Sequence, residues 1–131
     1  MMSMVRFRTS EGVFLAPTEH VLEVRKADEL TPLPGHKEGV AGLIERKGRA
    51  LTVLSTFGAK GGHVLLLSAG TNQFGLIAVE VSGVVNVSEL DIEPAPPGQS
   101  RPLVAGVVKA KTGLELMLSV DSLWRELQKT G

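Results

Sequence analysis

Residues 40–55 read Val-Ala-Gly-Leu-Ile-Glu-Arg-Lys-Gly-Arg-Ala-Leu-Thr-Val-Leu-Ser, and residues 104–119 read Val-Ala-Gly-Val-Val-Lys-Ala-Lys-Thr-Gly-Leu-Glu-Leu-Met-Leu-Ser. Both open on Val-Ala-Gly and close on Leu-Ser, 64 positions apart, and each holds two short apolar runs around a Lys/Gly turn. That is the sequence form of a β-hairpin. Leu51-Thr52-Val53 and Leu114-Glu115-Leu116 alternate as half-buried strands do. Upstream the correspondence continues at an offset of 63: Gly12 meets Gly75, Val21 meets Val84, Val24 meets Val87, Asp28 meets Asp91, Pro34 meets Pro97 and Gly35 meets Gly98. With Lys47 meeting Lys111, there are twelve identities over residues 12–55. The repeat, approximately 11–57 and 74–120, predicts an all-β chain of two similar barrels with about five strands each.

The remaining segments fit that plan. Strands are expected near 3–9, 12–17, 20–26, 39–46, 49–55, 62–68, 73–80, 81–87, 103–110 and 113–119. His63-Val64-Leu65-Leu66-Leu67 is nearly continuously apolar, as a strand buried on both faces between two barrels would be. One short C-terminal helix is expected, because Val120, Leu123, Trp124 and Leu127 recur at i, i+3, i+4 and i+7. Asp121 in its first turn and Lys129 in its last suit the helix dipole. Residues 27–38 and 88–102 carry Thr31-Pro32-Leu33-Pro34-Gly35 and Glu93-Pro94-Ala95-Pro96-Pro97-Gly98, and both read as loops.

Composition excludes several function classes. Fourteen Lys and Arg balance fourteen Asp and Glu, so no broad field draws nucleic acid or an anionic membrane. The absence of Cys removes disulfides, thiol nucleophiles and thiolate metal sites. The first residues, Met-Met-Ser-Met-Val-Arg-Phe-Arg, lack the apolar stretch of a secretory signal, and no run approaches the ~20 residues that span a bilayer. A cytoplasmic protein without direct membrane insertion is expected. At 131 residues the chain leaves no room for a kinase or receiver domain, so signalling chemistry is expected in another chain.

Catalysis needs a nucleophile, a base and an orienting group together. His20, His36 and His63 have no carboxylate or second histidine at metal-ligand spacing and read as isolated surface or boundary residues. Gly58-Ala59-Lys60-Gly61-Gly62 lacks the Gly-Lys-Ser/Thr ending of a phosphate loop and reads as a flexible connection between strands. No catalytic residue, metal ligand or cofactor is expected, and the chain is not read as an enzyme. Arg46, Lys47 and Arg49 form a basic turn that could dock an acidic patch or simply be a solvated hairpin tip.

Four segments, in order, resemble the CheW-like family of bacterial chemotaxis. Gly39 to Gly48 is similar to the family's Gly-Val-x-Asn-Leu-Arg-Gly strand and turn, and Gly75 to Val87 to its Gly-x-x-Val-Asp-x-Val strand pair. Ile92-Glu93-Pro94-Ala95-Pro96 is similar to its Ile-x-Pro-x-Pro segment. Val21-Leu22-Glu23-Val24 is similar to its Val-x-Glu-Ile strand, with Leu30 to Pro34 like the Pro-containing loop that follows. The resemblance covers residues 4–127 as one domain. It differs from the family pattern at Glu45 and Arg46, which stand for Asn and Leu, and at Ser55, Val79 and Ser119, which stand for Asp.

The resemblance implies two five-stranded SH3-like barrels and a non-catalytic adaptor that couples a chemoreceptor's cytoplasmic tip to the regulatory domain of a CheA-type histidine kinase. It leaves as an alternative an interaction module of a twitching or other non-flagellar system. It implies that the acid and the cation at Glu23 and Lys47 pair, on a kinase-facing first barrel. Gly42, Gly48 and Gly75 match family glycines at close approaches or turns, and Val21, Val81 and Val84 are expected to line a receptor groove between the barrels.

Overall fold

The computed structural model describes residues 1–35, 37–95 and 97–129, so His36 and Pro96 of the sequence reading lie outside it. Its strands are β1 (Met2–Thr9), β2 (Gly12–Pro17), β3 (Val21–Lys26), β4 (Val40–Arg46), β5 (Arg49–Leu54), β6 (His63–Ala69), β7 (Asn72–Ala78), β8 (Glu80–Val87), β9 (Ile92–Pro94), β10 (Val104–Ala110) and β11 (Gly113–Leu118). One helix, α1 (Val120–Lys129), follows. One-turn 3-10 segments sit at Thr18–His20, Ala27–Glu29 and Glu89–Asp91. All ten expected strands and the helix are present, and a short strand, β9, is added.

β9 falls in a segment expected to be a loop because of its prolines. It pairs with β10 through Ile92, Glu93 and Pro94, at the edge of its sheet. Proline density excludes a central strand but not an edge, where the missing N–H can face away from the neighbour.

The strands form two sheets, ordered β8-β1-β2-β11-β10-β9 and β3-β6-β7-β5-β4. The five-stranded sheet is one continuous piece of chain, β3 to β7, whereas the six-stranded sheet is not, since β1 and β2 cross over to join β8–β11. Each sheet contains one parallel contact, β2 with β11 and β5 with β7, among antiparallel neighbours.

Three apolar clusters hold the sheets. Ile44, Leu51, Val53, Val64, Leu66 and Ile77 pack on the inward face of the five-stranded sheet. Met4, Leu15, Val87 and Val108 pack on the inward face of the six-stranded sheet. The largest cluster lies between the sheets, with Phe7 and Phe14 from one and Leu65, Leu67, Phe74 and Leu76 from the other. β6 therefore serves two cores, Val64 and Leu66 on one face and Leu65 and Leu67 on the other, and all four are fully buried. Its unbroken apolar run is the consequence. α1 seals the same core with Val120 and Leu123, and Trp124 lies 5.6 Å from Phe74. The Ser119 hydroxyl accepts from the Ser122 N–H at 3.4 Å where α1 begins.

The five-stranded sheet curls until its ends meet. Beyond β3, Thr31 pairs with Leu43 of β4 through two 2.8 Å backbone hydrogen bonds. The crossing passes over Gly42, where an added Cβ would lie 2.3 Å from the Thr31 carbonyl oxygen. In the other sheet β9 crosses Gly106 in the same way, with Ile92 Cγ2 2.7 Å from the position of a Cβ.

Candidate functional site

The curled sheet brings three polar side chains to one mouth. Alternation along β4 puts Arg46 on the side of Gly42 and Ile44, facing inward. A bulge between Val21 and Glu23 sets Glu23 opposite inward-facing Leu66, and Gln73 shares a face with Gly75 and Ile77. Arg46 Nε donates to Glu23 Oε2 at 2.8 Å, and its Nη1 donates to Gln73 Oε1 at 3.3 Å. Arg46 therefore ties β4 to β3, the opposite edge of the same sheet, over the open end of the inner core. Arg25 stands 3.4 Å from the other Glu23 oxygen but is held chiefly by Glu29, to which its Nε and Nη2 donate at 2.9 and 2.6 Å.

The electrostatics follow from these contacts. The Arg46 hydrogen bond holds the Glu23 carboxyl below its usual range against partial desolvation, with Arg25 adding to the effect. Glu29 is lowered by its Arg25 hydrogen bond and by the Lys26 backbone, and Arg25 is raised mainly by Glu29.

The pairing expected between Glu23 and Lys47 is not formed; Arg46 takes the place of Lys47. Lys47 and Gly48 are the two loop residues between β4 and β5, with φ of 50° and 81°. Positive φ at both positions marks the primed two-residue hairpin turn. There Lys47 leaves the strand's alternation and is exposed, and it makes no ion pair among the described residues. Glu45 accepts a hydrogen bond from the Gly48 N–H and so braces the turn. The signal that finds Arg46 is in the sequence: it lies two residues after apolar Ile44, on the same face.

The other expected positions divide by burial. Gly42 and Gly75 are buried; a Cβ on Gly75 would lie 2.9 Å from Val64 and 3.0 Å from Val53, inside the inner core. They position strands and offer no surface. Val21 and Val81 are partly buried against the inter-sheet core, one from each sheet, while Val84 is 64% exposed. Three positions apart on a regular strand, Val81 and Val84 would face opposite ways. The β8 bulge opposite Arg6 and Phe7 sets Val81 beside Phe7 and Val84 beside Val5, so both share the inter-sheet face.

A second ion pair escaped the sequence reading. Arg6 Nε and Nη2 both donate to Glu115 Oε1, at 3.1 and 2.9 Å, and the Glu115 side chain is only 8% exposed. Arg6 follows Met4 and Glu115 precedes Met117 on the inward face of the six-stranded sheet, so both sheets carry an inward Arg–Glu pair. The two described histidines are occupied structurally: His20 Nδ1 donates to the Ser68 carbonyl at 2.9 Å and His63 Nδ1 to that of Val79 at 3.3 Å. No group of three His, Asp or Glu among the described residues is placed to hold a metal. The Gly58–Gly62 connection meets its surroundings at Gly58 and Gly61, while Ala59, Lys60 and Gly62 are exposed. Ser10 donates to the Phe57 carbonyl at 3.0 Å, and a Cβ on Gly61 would lie 2.2 Å from the Ala78 oxygen.

No helix among the described residues is long and apolar enough to cross a membrane. The chain is 26% identical over 134 residues to the chemotaxis protein CheW of Rhizobium meliloti (strain 1021), covering 92% of this chain and 86% of that one. In fold it is similar to the scaffolding protein TtCheW from Thermoanaerobacter tengcongensis, with a TM-score of 0.78, 23% identity and coverage of 91% and 89% of the two chains. The model of the CheW-like domain matches residues 3–128, almost the whole sequence, and with this fold around it the chain belongs to the CheW-like domain family.

Proposed function

We propose that this chain is a non-catalytic cytoplasmic adaptor that couples a chemoreceptor tip to the regulatory domain of a CheA-type histidine kinase. Residues 4–127 act as one domain of two duplicated barrels, a reading supported by the matching order of strands in the two sheets. Duplication supplies two related faces that can be occupied together, which linkage between receptor and kinase requires.

The observation that carries this reading is the charged mouth of the five-stranded sheet. Arg46 consumes one oxygen of Glu23, while the other is held only at 3.4 Å by an arginine engaged elsewhere. Glu23 can therefore accept a further donor, and exposed Lys47 stands on the adjoining turn, with Gly48 shaping it. The kinase domain binds here, offering a cation to Glu23 and an acid to Lys47. The receptor's apolar helical tip binds the inter-sheet face bearing Val21, Val81 and Val84, of which Val84 is the most open.

Calorimetric titration against the regulatory domain of the CheA-type kinase of the same organism tests this. Lys47→Glu should weaken binding tenfold or more, about 1.4 kcal/mol, while circular dichroism shows the fold unchanged. If the unaltered chain does not bind the domain, the coupling role is wrong even though the family assignment stands.

A further inference from the structure

Two features of the second half of the chain play no part in that site. One is an apolar groove of about 380 Å³ floored by Val104, Val107, Leu114 and Leu116, with Ala95 and Pro97 in its wall. Leu114, a floor residue, is 59% exposed. Lys109 is directly opposite Leu114 across β10 and β11, so it stands on the same face at the groove's edge. Lys111 follows on the turn and makes no ion pair among the described residues. Lys109 reaches Glu93 only at 3.5 Å, with both side chains mostly exposed. At the corresponding positions of the first half stand Val40, Leu43, Ala50 and Thr52, so the fully apolar floor belongs to the second half alone.

The other feature is Leu90, 95% exposed in the one-turn segment Glu89–Asp91. It projects between two acids that make no ion pair among the described residues. An apolar side chain between free acids matches an apolar groove beside lysines in both packing and charge. Such an exposed leucine cannot be filling the groove of its own copy.

We propose that Leu90 of one copy seats in the groove of a second copy, with Glu89 and Asp91 meeting Lys109 and Lys111. Plug and socket are different surfaces, so each copy offers one of each. One seated plug leaves a plug and a socket open, and the pair either closes reciprocally, each plug in the other's groove, or adds further copies head to tail. The inference stands independently of kinase coupling.

Sedimentation velocity on the full chain over a concentration series up to about 0.5 mM, the range for an interface under ~1,200 Å², tests it. The unaltered chain should gain mass with concentration, to a dimer where the contact closes reciprocally and beyond it where copies add head to tail. Leu90→Ser, on an exposed side chain, and Leu114→Ser, at the half-exposed floor, should each reduce association at least tenfold. Mixed together, the two variants retain one intact plug and one intact socket between them and should form a dimer that grows no further. High salt should weaken all of these contacts. A chain that stays monomeric throughout overturns the proposal. So does association that persists in Leu90→Ser, or a mixture that forms no dimer.

Discussion

Arg46 and Lys47 are neighbours of like charge with different physical roles. Arg46, 14% exposed at its side chain, bridges the two edges of a sheet, whereas Lys47 projects from a turn. Arg46→Ala should therefore cost about 1–2 kcal/mol in denaturant unfolding, and Lys47→Ala under about 0.5 kcal/mol. The reverse order would show that the bridge does not form in solution. The lowered carboxyls of Glu23 and Glu29 fix the sign of the acid response. A carboxyl whose folded pKa is depressed stabilises fully above the ordinary value of about 4.3 and loses that contribution as pH falls through the folded value. Stability should be level from neutral pH to about pH 5 and decline below it, and Glu23→Gln should flatten part of the decline. Arg6 and Glu115 make a more buried pair. Arg6→Met strands an acid that is nearly inaccessible to water and should cost about 2–3 kcal/mol, more than Glu115→Gln, which leaves a half-exposed guanidinium able to hydrate. Equal losses in chemical denaturation would contradict that account.

Between residues and the whole fold, the crossings at Gly42 and Gly106 decide how each sheet curls. At Gly42 an added methyl meets a backbone oxygen at 2.3 Å, which a rotamer change cannot relieve. At Gly106 the nearest atom is the end of the Ile92 side chain. Gly42→Ala should destabilise by about 3 kcal/mol or more, and Gly106→Ala by clearly less, because side chains yield where backbone does not. Thermal unfolding of the two variants side by side checks this. The Val-Ala-Gly triplets thus have a reason beyond likeness: each places its glycine beneath a returning segment. The hairpins themselves were legible from local pattern, since a turn with apolar strands on either side needs only near neighbours. β9 was not, because three residues containing a proline become a strand only when β10 lies beside them.

Over the whole molecule, the inter-sheet core joins strands from both ends of the chain with α1 laid across them. Leu123 is fully buried there, and the chain's one tryptophan lies against Phe74. A shared core makes unfolding of one sheet costly to the other. Leu123→Ala should lose about 2–5 kcal/mol. In the unaltered chain, Trp124 fluorescence and far-ultraviolet circular dichroism should report one coincident transition. Two separated transitions would mean that the sheets unfold independently and that the helix is only an accessory.

The sequence by itself determined the all-β class, ten strands in order, the amphipathic helix, the internal correspondence of its halves and the likeness to the CheW-like family. These rest on period, turn chemistry and motif order, which are properties of short stretches of chain. It also marked Glu23 as a charged partner. Only the tertiary structure decided that Arg46 and not Lys47 meets Glu23, that β1 and β2 join the sheet of β8–β11, and that a bulge turns Val81 and Val84 to one face. It likewise decided that Gly42 and Gly75 are packing residues. The reason is common to all of these: which side a strand residue faces, and what it meets there, depends on register, bulges and sheet curvature, and those are set by contacts between segments far apart in the chain.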